Sequence, residues 1–177
     1  MADSPDVLLT AHKFRVERRQ QITLDGRWLD REIVVHPGAV AILPILPDAR
    51  ICLIRNYRVA IGETLIELPA GTLDPGEAPA ETARRELIEE TGYRADTIEL
   101  LCEFFMSPGI LNERMTVFVA TGLQPGTSAL ESGEQIEPLE VTWNEALQLI
   151  RNGQMRDAKS IAALLFYESF RRREFGR

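Results

Sequence analysis

The segment from Gly71 to Tyr93 constrains the fold more strongly than any other part of this 177-residue chain. It reads GTLDPGEAPAETARRELIEETGY, a turn-rich loop followed by a helix-forming run. Asp74-Pro75-Gly76 is a turn tripeptide, and Pro79 suits a first helical turn because its missing N–H would have no helical partner there. Gly92 readily adopts the left-handed conformation that commonly ends a helix. We therefore predict a loop after Gly71 and one helix between Pro79 and Gly92.

The predicted helix carries an acidic face that is unfavourable without a partner. Glu86 and Glu90 lie four residues apart, and like charges at this spacing destabilise an isolated helix by roughly 0.2–0.5 kcal/mol per pair. A hard divalent cation such as Mg²⁺ reverses this effect, because it binds carboxylate oxygens. An ordinary solvated helix, with Arg85 paired to Glu81 and Glu89, is the alternative. The glycines of the preceding loop, together with Glu77 in that loop, favour the metal site over a solvated helix.

This segment resembles the Nudix box, G-x5-E-x7-R-E-U-x-E-E-x-G-U, in which U is usually a bulky aliphatic residue. Every fixed position is filled, by Gly71, Glu77, Arg85, Glu86, Leu87, Glu89, Glu90 and Gly92. Tyr93, at the last bulky position, is the one departure, and it does not affect the chemistry. The pattern covers 23 of the 177 residues without a gap, so it is a specific signal.

Short alternating or β-branched runs indicate strands on both sides of the predicted helix. They cover residues 12–23, 28–35, 39–46, 51–57, 64–68, 97–103, 115–121 and 139–142. Turn signals at 24–26 and 47–48 predict an N-terminal β-hairpin and a second hairpin. Helical patterns cover residues 143–152 and 158 to about 173. Mixed strands with helices on both sides predict an α/β fold, namely an α/β/α sandwich with a mixed sheet. The Nudix resemblance implies the same fold.

Composition and charge exclude several classes of function. The net charge of −7 argues against nucleic acid as the main partner, because surfaces that bind nucleic acid are basic. No apolar run approaches the roughly 18 residues that a membrane span needs, so no membrane partner is expected. The first ten residues lack the features of a signal peptide, which predicts a cytoplasmic protein. Cys52 and Cys102 lie in apolar runs and are expected to be buried, reduced thiols.

The resemblance assigns a metal site to the box. It implies that Glu86 and Glu90 ligate Mg²⁺, or Mn²⁺ in its place, together with the backbone carbonyl of Ala70. Glu89 is expected to ligate or orient a further ion, so that two or three ions per site hold the substrate and activate water. Arg85 is expected to hold the acidic side chains in place through ion pairs rather than to touch the substrate.

The general base is expected outside the box. In the resembling enzymes it comes from a mobile acidic loop, and here the loop of residues 131–137 offers three candidates. Its position relative to the following strand and helix favours Glu134, with Glu131 and Glu137 as alternatives. For at least two of the three, an ordinary charged surface loop is the better interpretation.

Three features outside the box resemble the ADP-ribose pyrophosphatase branch of the family. Pro108 lies 16 residues after Gly92, the run from Ile66 to Gly71 leads into the box, and Arg55-Asn56-Tyr57-Arg58 ends a predicted strand. The branch implies Mg²⁺-dependent hydrolysis of the diphosphate bond of ADP-ribose or a related ADP-sugar, giving AMP and a sugar phosphate. The alternatives are a hydrolase of other nucleoside diphosphate sugars such as GDP-mannose, a sensor that binds ADP-ribose without cleaving it, and a nucleoside triphosphatase.

Substrate contacts are expected from three parts of the chain. Arg58 is predicted to contact the diphosphate, since a guanidinium binds phosphate with two hydrogen bonds. Ser107, Gly109 and Glu113 are expected to line the terminal ribose, with Glu113 accepting hydrogen bonds from hydroxyl groups. Glu67, in the run that leads into the box, is a further predicted substrate contact.

The resemblance also implies a homodimer. In the resembling enzymes an N-terminal strand segment crosses to a second subunit and helps to bind adenine. The corresponding candidates here are Phe14, Arg15, Arg18 and Trp28. For Phe14 and Trp28, side chains buried within the hairpin are an equally good interpretation. We therefore predict an N-terminal hairpin region at residues 1–38 that dimerises and a Nudix hydrolase domain at residues 39–177.

Overall fold

The computed structural model of the chain describes residues 6–130, 133 and 135–171. Its strands are β1 (Asp6–Thr10), β2 (Arg15–Ile22), β3 (Trp28–Val35), β4 (Ala39–Pro44), β5 (Ile51–Arg58), β6 (Glu63–Glu67), β7 (Ala70–Thr72), β8 (Arg94–Phe105), β9 (Arg114–Gln124) and β10 (Ile136–Val141). Its helices are α1 (Pro79–Thr91), α2 (Trp143–Arg151) and α3 (Ala158–Phe166). Helix α1 ends at Gly92, whose φ of 78° is the left-handed conformation predicted from the sequence.

Strand β4 lies at the centre of the molecule, in a four-stranded sheet of order β7-β4-β9-β8. It is parallel to β9 and antiparallel to β7, so the sheet is mixed, as predicted. All six residues of β4 are buried because its two faces meet two hydrophobic cores. Ala41 and Leu43 face one core, and Val40 and Ile42 face the other.

Helices pack on both sides of the strands. On one face of the four-stranded sheet, Ala83 and Leu87 of α1 pack with Val40 and Ile42. The core on the other face includes residues of β5, β6, α2 and α3. Strands β5 and β6 join β10 in an antiparallel sheet of order β10-β5-β6. This arrangement confirms the predicted α/β/α fold class.

The second predicted hairpin, around Pro47 and Asp48, is wrong. β4 and β5 belong to different sheets, and an isolated bridge from Ile45 to Ile51 takes the place of a ladder between them. Both edges of β4 are occupied by β7 and β9, so β5 pairs instead with β6 and β10. A turn signal indicates a change of chain direction but does not identify the neighbouring strand.

The predicted N-terminal hairpin is present as β2 and β3, which pair from Arg15 opposite Val35 to Ile22 opposite Trp28. Strand β1 adds a third antiparallel strand beside β2, which the sequence patterns did not indicate. Residues 11–14 form the turn between β1 and β2. The N-terminal region is therefore a three-stranded sheet.

The end of the chain is helical, but not in the predicted form. Helix α3 begins at Ala158, as expected, and its α-helical geometry ends at Phe166. The backbone continues as a π-helical turn over Tyr167–Arg171. Residues 172 and 173, which the sequence pattern included, lie outside the described residues.

The two cysteines agree with the sequence prediction of reduced thiols. Cys52 and Cys102 are free, Cys52 being buried and Cys102 half-buried. Burial raises the pKa of Cys52 to about 12 and also raises the pKa of Cys102, so neither thiol is a ready nucleophile at neutral pH. Among the described helices, none has the length and hydropathy required to cross a bilayer.

Candidate active site

Gly71, in β7, lies against the acidic face of α1. A Cβ atom at this position would lie 1.8 Å from Glu86 Oε1 and 1.9 Å from the carboxyl carbon of Glu86. No side chain can occupy that space, so only glycine allows the Glu86 carboxylate to approach the backbone so closely. The box glycine therefore permits the observed position of a box glutamate.

Glu90 is held against the same strand. The backbone N–H of Ala70 donates a hydrogen bond to Glu90 Oε2 at 2.8 Å, and Ala70 itself pairs with Ala41 in the ladder between β7 and β4. Glu86 and Glu90 are 9% and 3% exposed. Buried carboxylates are costly unless they have a specific role or partner. This burial excludes the alternative of an ordinary solvated helix face.

Arg85 connects the remaining acidic residues of the box. Its Nη1 donates to Glu86 Oε1 at 2.8 Å and to Glu89 Oε2 at 2.9 Å, and its Nη2 donates to Glu77 Oε2 at 3.2 Å. The hydrogen bonds from Arg85 lower the pKa of Glu77, and Glu77 in turn raises the pKa of Arg85. We refer to Glu77, Arg85, Glu86 and Glu89 as the box cluster.

The donor atoms beside the box cluster fit a hard divalent cation. The predicted ligands are carboxylates of Glu86, Glu89 and Glu90 and the carbonyl of Ala70, which are all oxygen donors, and hard cations such as Mg²⁺ prefer oxygen ligands. Within the described residues, the acidic, histidine and cysteine side chains do not already converge as a ready-made group of three around one point. Glu86 and Glu89 accept hydrogen bonds from Arg85, and Glu90 accepts one from Ala70 N.

A second charged group lies beside the first. Glu67, at the end of β6, is fully buried, and its carboxylate accepts hydrogen bonds from Arg58 Nε at 2.8 Å and Arg58 Nη2 at 2.6 Å. Lys159 Nζ donates to Glu67 Oε2 at 2.6 Å and lies 3.0 Å from Asp157 Oδ2. We refer to Arg58, Glu67, Asp157 and Lys159 as the Glu67 cluster.

Burial acts against ionisation of Glu67, but its cationic partners outweigh it. Desolvation is the largest influence and raises the pKa of Glu67, whereas Arg58 and Lys159 lower it through hydrogen bonds and charge. The net effect is a lowered pKa. The hydrogen bond to Glu67 likewise raises the pKa of Arg58. Glu67 is thus a buried carboxylate that stays ionised and holds two cations.

Both clusters border a cavity of about 650 Å³. Six of the predicted site residues line it, namely Arg58, Ala70, Arg85, Glu86, Glu90 and Glu113. Glu89 is half-buried beside Arg85, outside the lining. Glu67, a predicted substrate contact, is buried and does not line the cavity, and its carboxylate oxygens accept hydrogen bonds from Arg58 and Lys159.

The sequence patterns missed several residues that line the cavity. They include His12, Lys13, Asp157 and Lys159; Asn56 also lines the cavity and was named only as part of the run from Arg55 to Arg58. His12 and Lys13 arrive from the turn between β1 and β2, a strand pair that was not predicted. Lys159 had one usable signal, because it is the one charged residue of α3, whose other residues are apolar except for Ser160. Its contact with Glu67 could not have been found, since Glu67 lies 92 residues away.

The segment after β8 is anchored to the N-terminal sheet. Val34 N donates to Ile110 O at 2.8 Å, Asn112 N donates to Val34 O at 3.2 Å, and His36 N donates to Asn112 Oδ1 at 2.7 Å. These bonds leave Glu113 half-buried at the cavity. The predicted contacts Ser107 and Gly109 are exposed and do not line it.

The predicted N-terminal contributors lie on the three-stranded sheet. Arg18 is exposed and pairs with Asp6 and Glu32, away from the cavity lining of its own chain. Phe14 and Trp28 are 40% and 63% exposed, so the alternative of buried hairpin side chains is wrong for both. Arg15 forms an ion pair with the buried Glu17.

The favoured base candidate, Glu134, lies outside the described residues, as does Glu131. Glu137 is described; it is exposed on β10, opposite Arg55 of β5. The described residues that flank this part of the chain are tied to the site, because Ala129 N donates to Glu89 O at 3.1 Å and Tyr57 N donates to Gln135 O at 3.3 Å.

Comparison with known protein families identifies the family to which this chain belongs. The NUDIX domain matches residues 35–164, which include the whole segment from Gly71 to Tyr93. The chain belongs to the Nudix family. Nudix hydrolases generally depend on a divalent metal ion, and the oxygen donors around the box cluster fit such an ion.

Relatives of this Nudix chain cover most of its length. It is 39% identical to a methanol dehydrogenase activator of Bacillus methanolicus and 38% identical to an ADP-ribose pyrophosphatase of Bacillus subtilis, in each case over 81% of this chain and 79% of the relative. It is 37% identical to a GDP-mannose pyrophosphatase of Cronobacter sakazakii, over 82% of this chain and 84% of the relative. A crystal structure of an ADP compounds hydrolase superposes with a TM-score of 0.82 at 25% identity, covering 98% of this chain and 97% of the other.

Proposed function

We propose that the chain is a Mg²⁺-dependent Nudix hydrolase that cleaves the diphosphate bond of ADP-ribose or a related ADP-sugar, giving AMP and a sugar phosphate. The observation that carries this proposal is one cavity bordered by two buried box carboxylates and by the cations Arg58 and Lys159. A diphosphate needs positive charge on its oxygens, and a divalent cation needs carboxylates. The related proteins named ADP-ribose pyrophosphatase and ADP compounds hydrolase support the choice of substrate.

The box residues would hold the metal. Glu86 and Glu90, with the carbonyl of Ala70, are the proposed ligands of Mg²⁺ or Mn²⁺, and Glu89 is proposed to ligate or orient a further ion, to a total of two or three. The bound metal supplies positive charge at the diphosphate and lowers the pKa of water. Arg85 keeps Glu86 and Glu89 oriented through its Nη1 bonds to both carboxylates.

The reaction also needs a base for the attacking water. We assign this role to Glu134, with Glu131 and Glu137 as alternatives. The base takes a proton from water while the oxygen forms a bond to one phosphorus, and the bridging P–O bond breaks to release two phosphate monoesters. Glu134→Gln should lower kcat with little change in metal affinity, measured by titrating activity with Mg²⁺. Near-normal turnover would move the role to Glu131 or Glu137, and Glu137→Gln is the matched variant.

Substrate binding is proposed for Arg58 and Glu113, which line the cavity, and for Ser107 and Gly109, which are exposed outside its lining. Arg58 binds the diphosphate, and Glu113 accepts hydrogen bonds from the ribose hydroxyls. Ser107 and Gly109 complete the ribose contact. Glu67 contributes by holding Arg58 in place.

We further propose a homodimer formed through residues 1–38, with residues 39–177 as the hydrolase domain. The three-stranded sheet exposes large apolar side chains, which is typical of a surface that a partner covers. They include Val7, Leu9, Ile22, Trp28 and Leu29. Arg18 is proposed to contact the substrate bound by the partner subunit. A cytoplasmic location stays a prediction of the sequence.

A substrate panel tests the proposed activity. Purified protein is incubated with ADP-ribose, other ADP-sugars, GDP-mannose and nucleoside triphosphates, with and without Mg²⁺, and the products are identified. AMP and ribose 5-phosphate from ADP-ribose, only with metal, is the expected result. Cleavage of GDP-mannose but not ADP-ribose would support the second candidate, which the GDP-mannose pyrophosphatase relative favours. Tight ADP-ribose binding without cleavage would indicate a sensor.

A further inference from the structure

The roles assigned to the box do not account for Lys159. Its side chain is 8% exposed, in the first turn of α3, and the residue lines the cavity. A buried ion pair is weak evidence for stability alone, because desolvation offsets the attraction and apolar replacements are often as stable. A buried lysine at the wall of the proposed substrate cavity therefore calls for a functional explanation.

The position of Lys159 is fixed by backbone as well as by charge. Asp157 caps α3 by accepting a hydrogen bond from Ser160 N at 3.0 Å. Ser160 Oγ accepts a hydrogen bond from Leu68 N at 2.7 Å. Leu68 follows Glu67 directly and precedes β7 by two residues. The start of α3 is thus attached to the segment that enters the box, which fixes Lys159 relative to Ala70.

Lys159 and Arg58 are neighbours that share one anchor. Lys159 Nζ and Arg58 Nη2 both donate to Glu67 Oε2, each at 2.6 Å. Without that carboxylate the two cations would repel each other. An ammonium has three N–H donors and a guanidinium five, and the contacts with Glu67 and Asp157 use only some of them. Donors from two adjacent cations therefore remain for a ligand in the cavity.

We propose that Lys159 is, with Arg58, a second cationic contact for the diphosphate of the substrate, and that Glu67 is the positioning residue that holds this pair of cations. The proposal rests on the proposed function, since it takes the ligand to be a nucleoside diphosphate sugar. An anion with two phosphate groups matches two neighbouring cations better than it matches one. Glu67 acts through Arg58 and Lys159 and does not itself touch the substrate.

Lys159→Met tests the contact, with Arg156→Met as the matched control. Arg156 is three residues away, exposed, and paired with Glu63 at the surface. Its substitution by methionine therefore removes one nearby positive charge that lies outside the cavity lining. Lys159→Met should raise KM about tenfold to a hundredfold and change kcat less, because it removes a charge-assisted contact made on binding. Lys159→Arg should recover part of the loss, and Arg156→Met should match the wild type.

Glu67→Gln tests the positioning role by a double-mutant cycle with Lys159→Met. If Glu67 acts through Lys159, the double variant should raise KM by clearly less than the product of the two single effects. Where Glu67→Gln yields no folded protein, Glu67→Asp keeps the charge but withdraws it by one methylene, and it should also raise KM. Multiplicative effects in the cycle, or a wild-type KM in Glu67→Asp, would overturn the positioning role.

Binding of inorganic pyrophosphate separates this proposal from the proposed function. Titration calorimetry without metal measures the affinity of each variant for pyrophosphate, independently of any turnover. Lys159→Met should bind about tenfold more weakly than the wild type or Arg156→Met. Equal affinities would refute the contact even in an active hydrolase. Weaker binding in a protein that cleaves no nucleoside diphosphate sugar would support the contact while refuting the proposed activity.

Discussion

The box cluster and the Glu67 cluster border the same cavity but distribute charge in opposite ways. In the box cluster one guanidinium, Arg85, is shared by three carboxylates. In the Glu67 cluster one buried carboxylate is shared by two cations, and Asp157 balances the second. The first arrangement leaves surplus negative charge for a metal ion, and the second presents N–H donors at no net charge. The balance within each cluster, rather than the number of charged residues, indicates which ligand it suits.

The largest effect is expected from removing one of the buried carboxylates of the box. Glu90→Gln keeps the size of the side chain and an oxygen that accepts from Ala70 N, so the fold should persist. Loss of a metal-binding carboxylate should lower turnover by about two orders of magnitude or more. The measurement is kcat at saturating Mg²⁺. Glu81→Gln is the control, because Glu81 is exposed on the same helix. Turnover close to that of the wild type would remove Glu90 from the metal site.

Gly71→Ala should disturb the box cluster without changing any charge. The added Cβ would lie 1.8 Å from Glu86 Oε1, so the carboxylate or the strand must move. Displacement of a catalytic group by about 1 Å can cost a hundredfold in rate, and we expect a loss of about tenfold to a hundredfold in kcat. Thermal unfolding measured in parallel shows whether the fold survives. Full activity would mean that Glu86 is not needed where the structure places it.

The two clusters also differ in how far the sequence could predict them. The box cluster lies within residues 77–89, and helical periodicity with one glycine loop is enough to bring its members together. The Glu67 cluster depends on a hydrogen bond between residues 92 positions apart. No local pattern contains that distance. Arg58 could be proposed from its place at a strand end, and its partner Glu67 lies on the adjacent strand β6, whereas Lys159 joins Glu67 only through the position of α3 in the folded chain.

The same limit explains the errors in the fold. The strands other than β1 and β7, helix α1 and the fold class followed from local periodicity, turn residues and the box. The pairing of β4 with β9, and of β5 with β10, is decided by long-range packing. The prediction of a hairpin at residues 47–48 failed for that reason. The placement of Lys13 at the cavity could not be inferred either, because it depends on where the N-terminal sheet docks.

A smaller effect, on thermal stability, is expected from removing the cation that the carboxylates of the box cluster share. Arg85→Met removes the shared cation, so Glu77, Glu86 and Glu89 then repel one another. Mg²⁺ should compensate for this repulsion, because a ligand that binds only the folded state stabilises it. Added Mg²⁺ should therefore raise Tm more in Arg85→Met than in the wild type, by on the order of a few degrees. Arg84→Met is the control, since within the described part of the chain the Arg84 side chain donates to the carbonyl of Ala95 and not to a carboxylate. Equal shifts in all three proteins would show that Arg85 does not offset the box carboxylates.

The smallest effect concerns the acid stability contributed by the Glu67 cluster. The pKa of Glu67 is lowered in the fold from its ordinary value of 4.5, with Arg58 and Lys159 outweighing burial. Its carboxylate therefore stabilises the fold fully above that value, and the stabilisation is lost as the pH falls through the lowered pKa. Glutamine does not titrate, so the difference in free energy of unfolding between the wild type and Glu67→Gln should shrink as the pH falls below about 4.5. Urea unfolding across this range measures the difference. If this difference in free energy of unfolding did not depend on pH, the two cations would not be holding Glu67 ionised. The Glu67 cluster would then not be a carboxylate shared by two cations, and its contrast with the box cluster would be wrong.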